Sequence, residues 1–232
     1  MQRLLGRFIA QGFVHHDLSR ACLAQTSDAI PRVVLLGRLW LYGAGAARLH
    51  EELVPVTARW TDPKIRKGTL APYARESETK TLALLEEALA EKTGRPIAKE
   101  VMQQLQAAAP RDVQELLAHL QSVGQEYAKD AEKKLQARAD AEAKAMRQIL
   151  ETQKAHITQT ASKYQKEHQG VLFPELEDER RQLEDNKRYW TKRLGMLEQE
   201  LQSEPERIRD IYQVKAQRIE PIGLVYLWPV TG

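Results

Sequence analysis

Cysteine occurs once in the 232 residues, at Cys22, which excludes an internal disulfide framework and any zinc or iron–sulfur site built on several thiols, and suits a reducing compartment. Aromatic residues are 6 % of the chain, too few for an aromatic-rich β-sandwich. No apolar run approaches the roughly 18–20 residues that cross a bilayer, so the expectation is a cytoplasmic protein with no membrane partner. The nucleotide-binding patterns GxxxxGK[ST] and GxGxxG are missing, as is an acidic strand-end box of the DExx type, so the chain by itself is not expected to hydrolyse ATP. A GxSxG nucleophile elbow is missing too, and Cys22 reads as an inert residue in an apolar helical setting. No cofactor and no small-molecule substrate are expected for this chain alone.

Charge is what the sequence has in quantity. Charged residues make up 29 % and apolar residues 42 % of the chain, with a formal net charge of +3, a profile of long solvated helices. Residues 1–75 hold eleven Lys/Arg against five acids, so the positive surplus sits at the start of the chain. Guanidinium groups match phosphate oxygens in a fixed fork, which makes Arg32, Arg38, Arg48, Arg59, Lys64, Arg66 and Lys67 the candidate nucleic-acid contacts. The tightest group, Lys64, Arg66 and Lys67, lies in a polar, turn-like stretch from Thr61 to Gly68. The competing reading of the same arginines is scattered solubility and salt-bridge residues. His15, His16 and Asp17 are a metal or acid/base triplet by composition, yet adjacent helix positions point in different directions, so surface histidines beside a helix boundary are the ordinary reading. Trp40, Trp60, Tyr189, Trp190 and Trp228 are able to stack on bases, although core packing is their commoner use.

The chain begins with a basic, amphipathic stretch, Met1–Val14, broken by Arg7 and Gln11 and followed by no small-residue cleavage site, which reads as a packing helix instead of a targeting signal. After these first helices, Val33–Tyr42 reads as a strand covered on both faces and ending at Gly43-Ala44-Gly45. Val54–Trp60 alternates as a half-buried strand that Pro55 demotes to an edge, and the two strands are expected to pair as a hairpin. From Glu78 the period becomes helical. Leu82, Leu85 and Leu89 share a face of a helix stopping near Gly94, and a second short helix ends before Pro110.

Asp112 then reads as the cap of a helix reaching about His168, some 85 Å at about 1.5 Å per residue. No single globular core covers such a length. Leu176, Leu183, Trp190, Leu194, Leu197 and Leu201 follow as a heptad seam after a break at Gly170 and Pro174, and the alanines between Ala137 and Ala145 permit close helix approach. Residues 175–218 carry eleven acids and ten bases, the balance of a solvated coiled coil. Ser203 and Pro205 read as the opening of a further helix, and Ile219–Val230 as a buried terminal strand. That strand needs a sheet, and the only sheet candidates lie before residue 62. The expected fold is mainly α with a small β component, α+β: a small body built from both chain ends and a long antiparallel helical-hairpin insertion. The divisions are an arginine-rich α/β body at 1–77, short helices at 78–110, a coiled-coil arm at 111–202 and a returning helix and strand at 203–232.

Three stretches carry a resemblance: DLSRACL at 17–23 with SDAIPRVVLLGRL at 27–39, then GAARLHEE at 45–52 with VPVTARW at 54–60, and IEPIGLVYLWP at 219–229. Together they resemble the C-terminal region of bacterial Swi/Snf-like helicases, the DrmD type of DISARM anti-phage systems, over nearly the whole chain. The resemblance implies a bacterial antiviral-defence role, and a place downstream of paired motor lobes that use ATP and Mg to move on double-stranded DNA. It implies those motor lobes or other defence-system subunits as partners. Both lobes are absent here, so no catalytic residue carries over, and the chain is then one piece of the helicase or a split gene product. The alternative is a stand-alone coiled-coil assembly protein with no nucleic-acid role.

Overall fold

A computed structural model describes residues 21–90, 98–168 and 177–230. Four strands, β1 (Ala21–Thr26), β2 (Arg32–Tyr42), β3 (Arg48–Arg59) and β4 (Ala216–Pro229), form one sheet in the order β1-β4-β2-β3. The β1–β4 pair is parallel and the other two pairs are antiparallel. The described helices are α1 (Arg75–Ala90), α2 (Lys99–His168) and α3 (Glu177–Tyr212). The chain divides into two compact units: one holds the sheet, α1 and α2 as far as Ala131, and the other runs from Glu132 to Val214 with Gly43–Gly45. The second lies in sequence inside the first. The α+β class, a body from both chain ends with a helical-hairpin insertion, is thus the observed one.

In the first unit the sheet is covered on both faces, which is why β2 is buried from Arg32 to Leu41. Val34 and Leu36 of β2 and Val225 and Leu227 of β4 meet Leu84 and Leu85 of α1 in one apolar cluster. The opposite face meets α2. A Cβ on Gly37 would lie 2.5 Å from Leu120 Cδ1, and one on Gly124 would lie 2.0 Å from Ile219 Cδ1, so both glycines let strand and helix approach to contact. The β2–β3 hairpin turns through Gly45 and Ala46, both at left-handed φ near +60°, a region costly for any side chain but easy for glycine.

In the second unit α3 runs antiparallel to α2. The pairing is fixed by Tyr164 against Trp190, Lys154 to Glu198 at 2.9 Å, Arg209 to Asp140 at 2.9 Å and Tyr212 Oη donating to Glu142 at 2.7 Å. Leu135, Ala139, Ala143, Leu150 and Leu197 are buried in this unit. The alanines therefore serve the close helix approach expected of them, and Trp190 packs against Tyr164.

Several sequence expectations are corrected. Ala21–Thr26 is strand, not helix, so Cys22 lies on β1 and is exposed; its apolar content is too sparse to show a period, and the pairing with buried β4 supplies the stabilisation instead. The expected first helix, Met1–Val14, and the triplet His15, His16 and Asp17 lie outside the described residues. Leu89 is 40 % exposed, because Thr81, Leu84 and Leu85 carry the buried stripe of α1. Pro110 ends nothing: α2 is one helix from Lys99. The proline ring lies on the exposed side, and tertiary contacts from Gln104 and Arg111 hold the helix on both sides of it. Pro205 likewise lies inside α3, where it is buried; packing compensates the one missing backbone bond, and Ser203 Oγ donates to the Gln199 carbonyl at 3.1 Å instead of capping a new helix. Asp112 is not a cap. It sits in the helix interior and has another task.

Candidate functional site

The stretch between β3 and α1 has two prolines, a glycine and three cations. Its end bridges β3 at Ala58 and Pro72, with Tyr73 N donating to the Thr57 carbonyl at 2.7 Å, and its polar start, from Thr61 to Gly68, needs partners elsewhere. It finds them on α2. Asp62 opens a tight turn: its Oδ1 accepts from Lys64 N at 2.8 Å, and its carbonyl accepts from Ile65 N and Arg66 N, each at 3.0 Å. The turn is fastened to α2 at four places: Gln104 Nε2 donates to Asp62 Oδ2 at 2.5 Å, Arg111 to the Pro63 carbonyl at 3.3 Å, Arg66 to both Asp112 and Glu115 at 2.8 Å, and Leu70 N to Glu115 at 2.9 Å.

Asp112 is the centre of this latch and has no exposed surface. Its Oδ1 takes the Arg66 bond, while its Oδ2 accepts from Trp60 Nε1 at 2.9 Å and from Tyr226 Oη at 2.8 Å. A buried carboxylate is stabilised only by such a full set of donors. Trp60 packs edge-on against Tyr226 and Trp228, and the latch thereby ties the end of β3, the middle of β4 and α2 together. Burial works against the charge on Arg66, but the hydrogen bonds and charges of Asp112 and then Glu115 outweigh it and hold the guanidinium above its usual range. Burial raises Glu115, yet hydrogen bonds from Arg111, Leu70 N and Arg66 bring it below the ordinary carboxylate range. Burial and the adjacent Asp112 carboxylate push the Tyr226 phenol well up, so it stays a donor.

The seven candidate cations are therefore divided. Arg32 is buried, bonded to Asp28 at 2.5 Å and to Thr81 Oγ1 at 2.8 Å, and lies over the Tyr73 ring. Arg38 is buried beside Trp40 and paired with Glu51. Arg66 is only 6 % exposed in its side chain. These three guanidiniums are engaged within the protein. Arg48 is exposed but bonded to Glu51 at 2.8 Å. Arg59, Lys64 and Lys67 face solvent, and among the described residues neither lysine ammonium has an acidic partner. Arg48 and Arg59 stand at opposite ends of β3, about 36 Å apart at the rise of a strand, so the candidates do not form one patch. The loop end holds Arg59, Lys64 and Lys67, joined by Arg111, which is exposed beside Pro63.

Compared with known proteins, the chain matches no family model, no curated protein and no solved structure.

Trp60 is buried and Trp228 half-buried in the latch, so neither presents a free face for a base. Sequence reasoning missed Asp112, Glu115 and Arg111 as anchors of the loop. The signal was present in the spacing: Asp112 and Glu115 at i, i+3 share a helix face, and Glu115 lies one turn after Arg111, which also braces the loop. Among the described residues no three His, Cys, Asp or Glu side chains are grouped to hold a metal. A groove of about 420 Å³ in the second unit is lined by Glu132, Asp140, Arg209 and Tyr212 among others, and Arg209 there is bonded to Asp140.

Proposed function

We propose that the chain is a DNA-contacting accessory module of a Swi/Snf-like helicase or translocase in bacterial phage defence, without catalytic chemistry of its own. Its partners are double-stranded DNA together with the motor lobes or other subunits of the defence system; ATP and Mg belong to the motor. The observation that carries the reading is the latched loop: a turn held at four places to α2, with Lys64 and Lys67 outward and uncompensated. Such preorganisation lowers the entropy cost of meeting phosphates, and the sequence resemblance supplies the context. The test is binding of a labelled short duplex as salt is varied. Binding should weaken steeply with salt, and Lys64→Gln with Lys67→Gln should lower the slope of log K against log salt by about 0.9 for each phosphate no longer neutralised, equally for any DNA sequence. Binding that is insensitive to salt and to these changes would count against it.

A second reading, a stand-alone assembly protein acting through its coiled coil, is favoured by the exposed Ile149, Tyr189, Met196 and Ile211 of the second unit, apolar groups of the kind that meet partner helices. It expects no duplex binding in the same titration.

A further inference from the structure

At the crest of the latched turn stands Ile65, 74 % exposed. Single exposed aliphatic residues are common on protein surfaces and need no explanation. This one differs in its setting. It is β-branched, so its χ1 is stiff. Its backbone is pinned on both sides, by Asp62 accepting from Lys64 N, Ile65 N and Arg66 N, and the next residue is locked to Asp112 and Glu115. Lys64 and Lys67 flank it and are exposed. The nearby carboxylates are occupied: Asp62 by Lys64 N and Gln104, Glu115 by Arg66, Arg111 and Leu70 N. A rigid apolar point between two uncompensated cations matches a surface that is anionic at its rims and apolar between them.

We infer that Ile65 is a wedge residue that enters a groove of duplex DNA and partly unstacks a base step, while Lys64 and Lys67 meet the phosphates on either side. Aliphatic side chains do this where a positively charged, rigid element is pressed into the groove, and the step they open kinks the duplex. The inference rests on the DNA reading above and names how that contact is made. Flexible pyrimidine–purine steps, which unstack most easily, are the favoured targets.

The experiment uses the full chain and a short duplex carrying 2-aminopurine at a TA step, with donor and acceptor dyes at its ends. Wild-type protein should raise the 2-aminopurine signal and shorten the end-to-end distance as it binds. Ile65→Ser should abolish both signals, weaken binding by about tenfold and leave the salt slope unchanged, because both lysines remain; Ile65→Leu should restore the signals. Ile65 has little packing to lose, and an unchanged thermal unfolding curve verifies that the variant is folded. Binding by the wild type without unstacking or bending, or an Ile65→Ser variant that unstacks and bends like the wild type, overturns the wedge and leaves the DNA reading standing. Absence of any duplex binding by the wild type overturns both.

Discussion

Three donors converge on Asp112 from three different parts of the first unit, and one of them, Arg66, is itself shared with Glu115. A charge buried in this way is stabilised by its neighbours only while all are present, and removing a single partner of a buried pair costs about 3–5 kcal/mol. Glu115 makes the arrangement sensitive to acid. Its folded-state pKa is below its ordinary value of 4.5, so its contribution is fully present above the ordinary value and is lost as pH falls through the lower folded one. Asp28, which burial raises but Arg32 and Lys80 bring below 3.8, acts in the same sense. Chemical unfolding followed as a function of pH should therefore show stability falling below about pH 4.5, and Glu115→Gln should lower stability at neutral pH while flattening that acid limb. A variant whose acid limb keeps the wild-type slope would mean that Glu115 does not hold the loop through its charge. At this scale the sequence is legible only in part. Lys64, Arg66 and Lys67 stand out as a basic cluster, but nothing in composition separates a guanidinium that faces solvent from one that faces a buried acid. Arg66 belongs to the second kind.

The elements follow from periodicity where burial is complete. In β2 and β4 the continuous apolar runs mark buried strands. The alternation at Val54–Trp60 misleads for β3, which is buried on both faces from Leu53 to Ala58 because small Thr57 and Ala58 and the ring of Pro55 pack as readily as the valines, while Pro55 fits the edge place of β3 in the sheet order. Strand β1 is hidden because Ala21–Thr26 contains a single large aliphatic residue, Leu23, and is held by its parallel pairing with β4. Prolines mislead in the helices: local rules make boundaries of both Pro110 and Pro205, and both lie within helices held by tertiary packing. The approach of β2 to α2 has its own signature. A methyl group on Gly37 would meet Leu120 Cδ1 at 2.5 Å and Cδ2 at 2.8 Å, and Leu120 is fully buried with nowhere to turn. Gly37→Ala should cost about 1–3 kcal/mol, as overpacking does, measured by urea denaturation. Adding Leu120→Ala should recover part of that cost, whereas strictly additive effects would place the tight approach elsewhere.

Taken whole, the molecule assigns its charged residues to separate tasks. Acids and bases on α2 and α3 in the second unit pair with one another, as Lys154 with Glu198 and Arg193 with Glu200 do. In the first unit Arg32, Arg38 and Arg66 join strands to neighbouring strands, loops and helices, and Lys64 and Lys67, without an acidic partner among the described residues, stand together at one loop. That division is not legible from the excess of positive charge in residues 1–75, since it depends on which acids the fold brings near. The central claim is that this loop, and not the helical hairpin, meets duplex DNA. Amide hydrogen exchange of the full chain with and without a short duplex tests it most directly. The account predicts added protection at Lys64–Gly68 and around Arg111, with the amides of 132–214 unchanged. Protection confined to 132–214, with the loop exchanging as before, would contradict it.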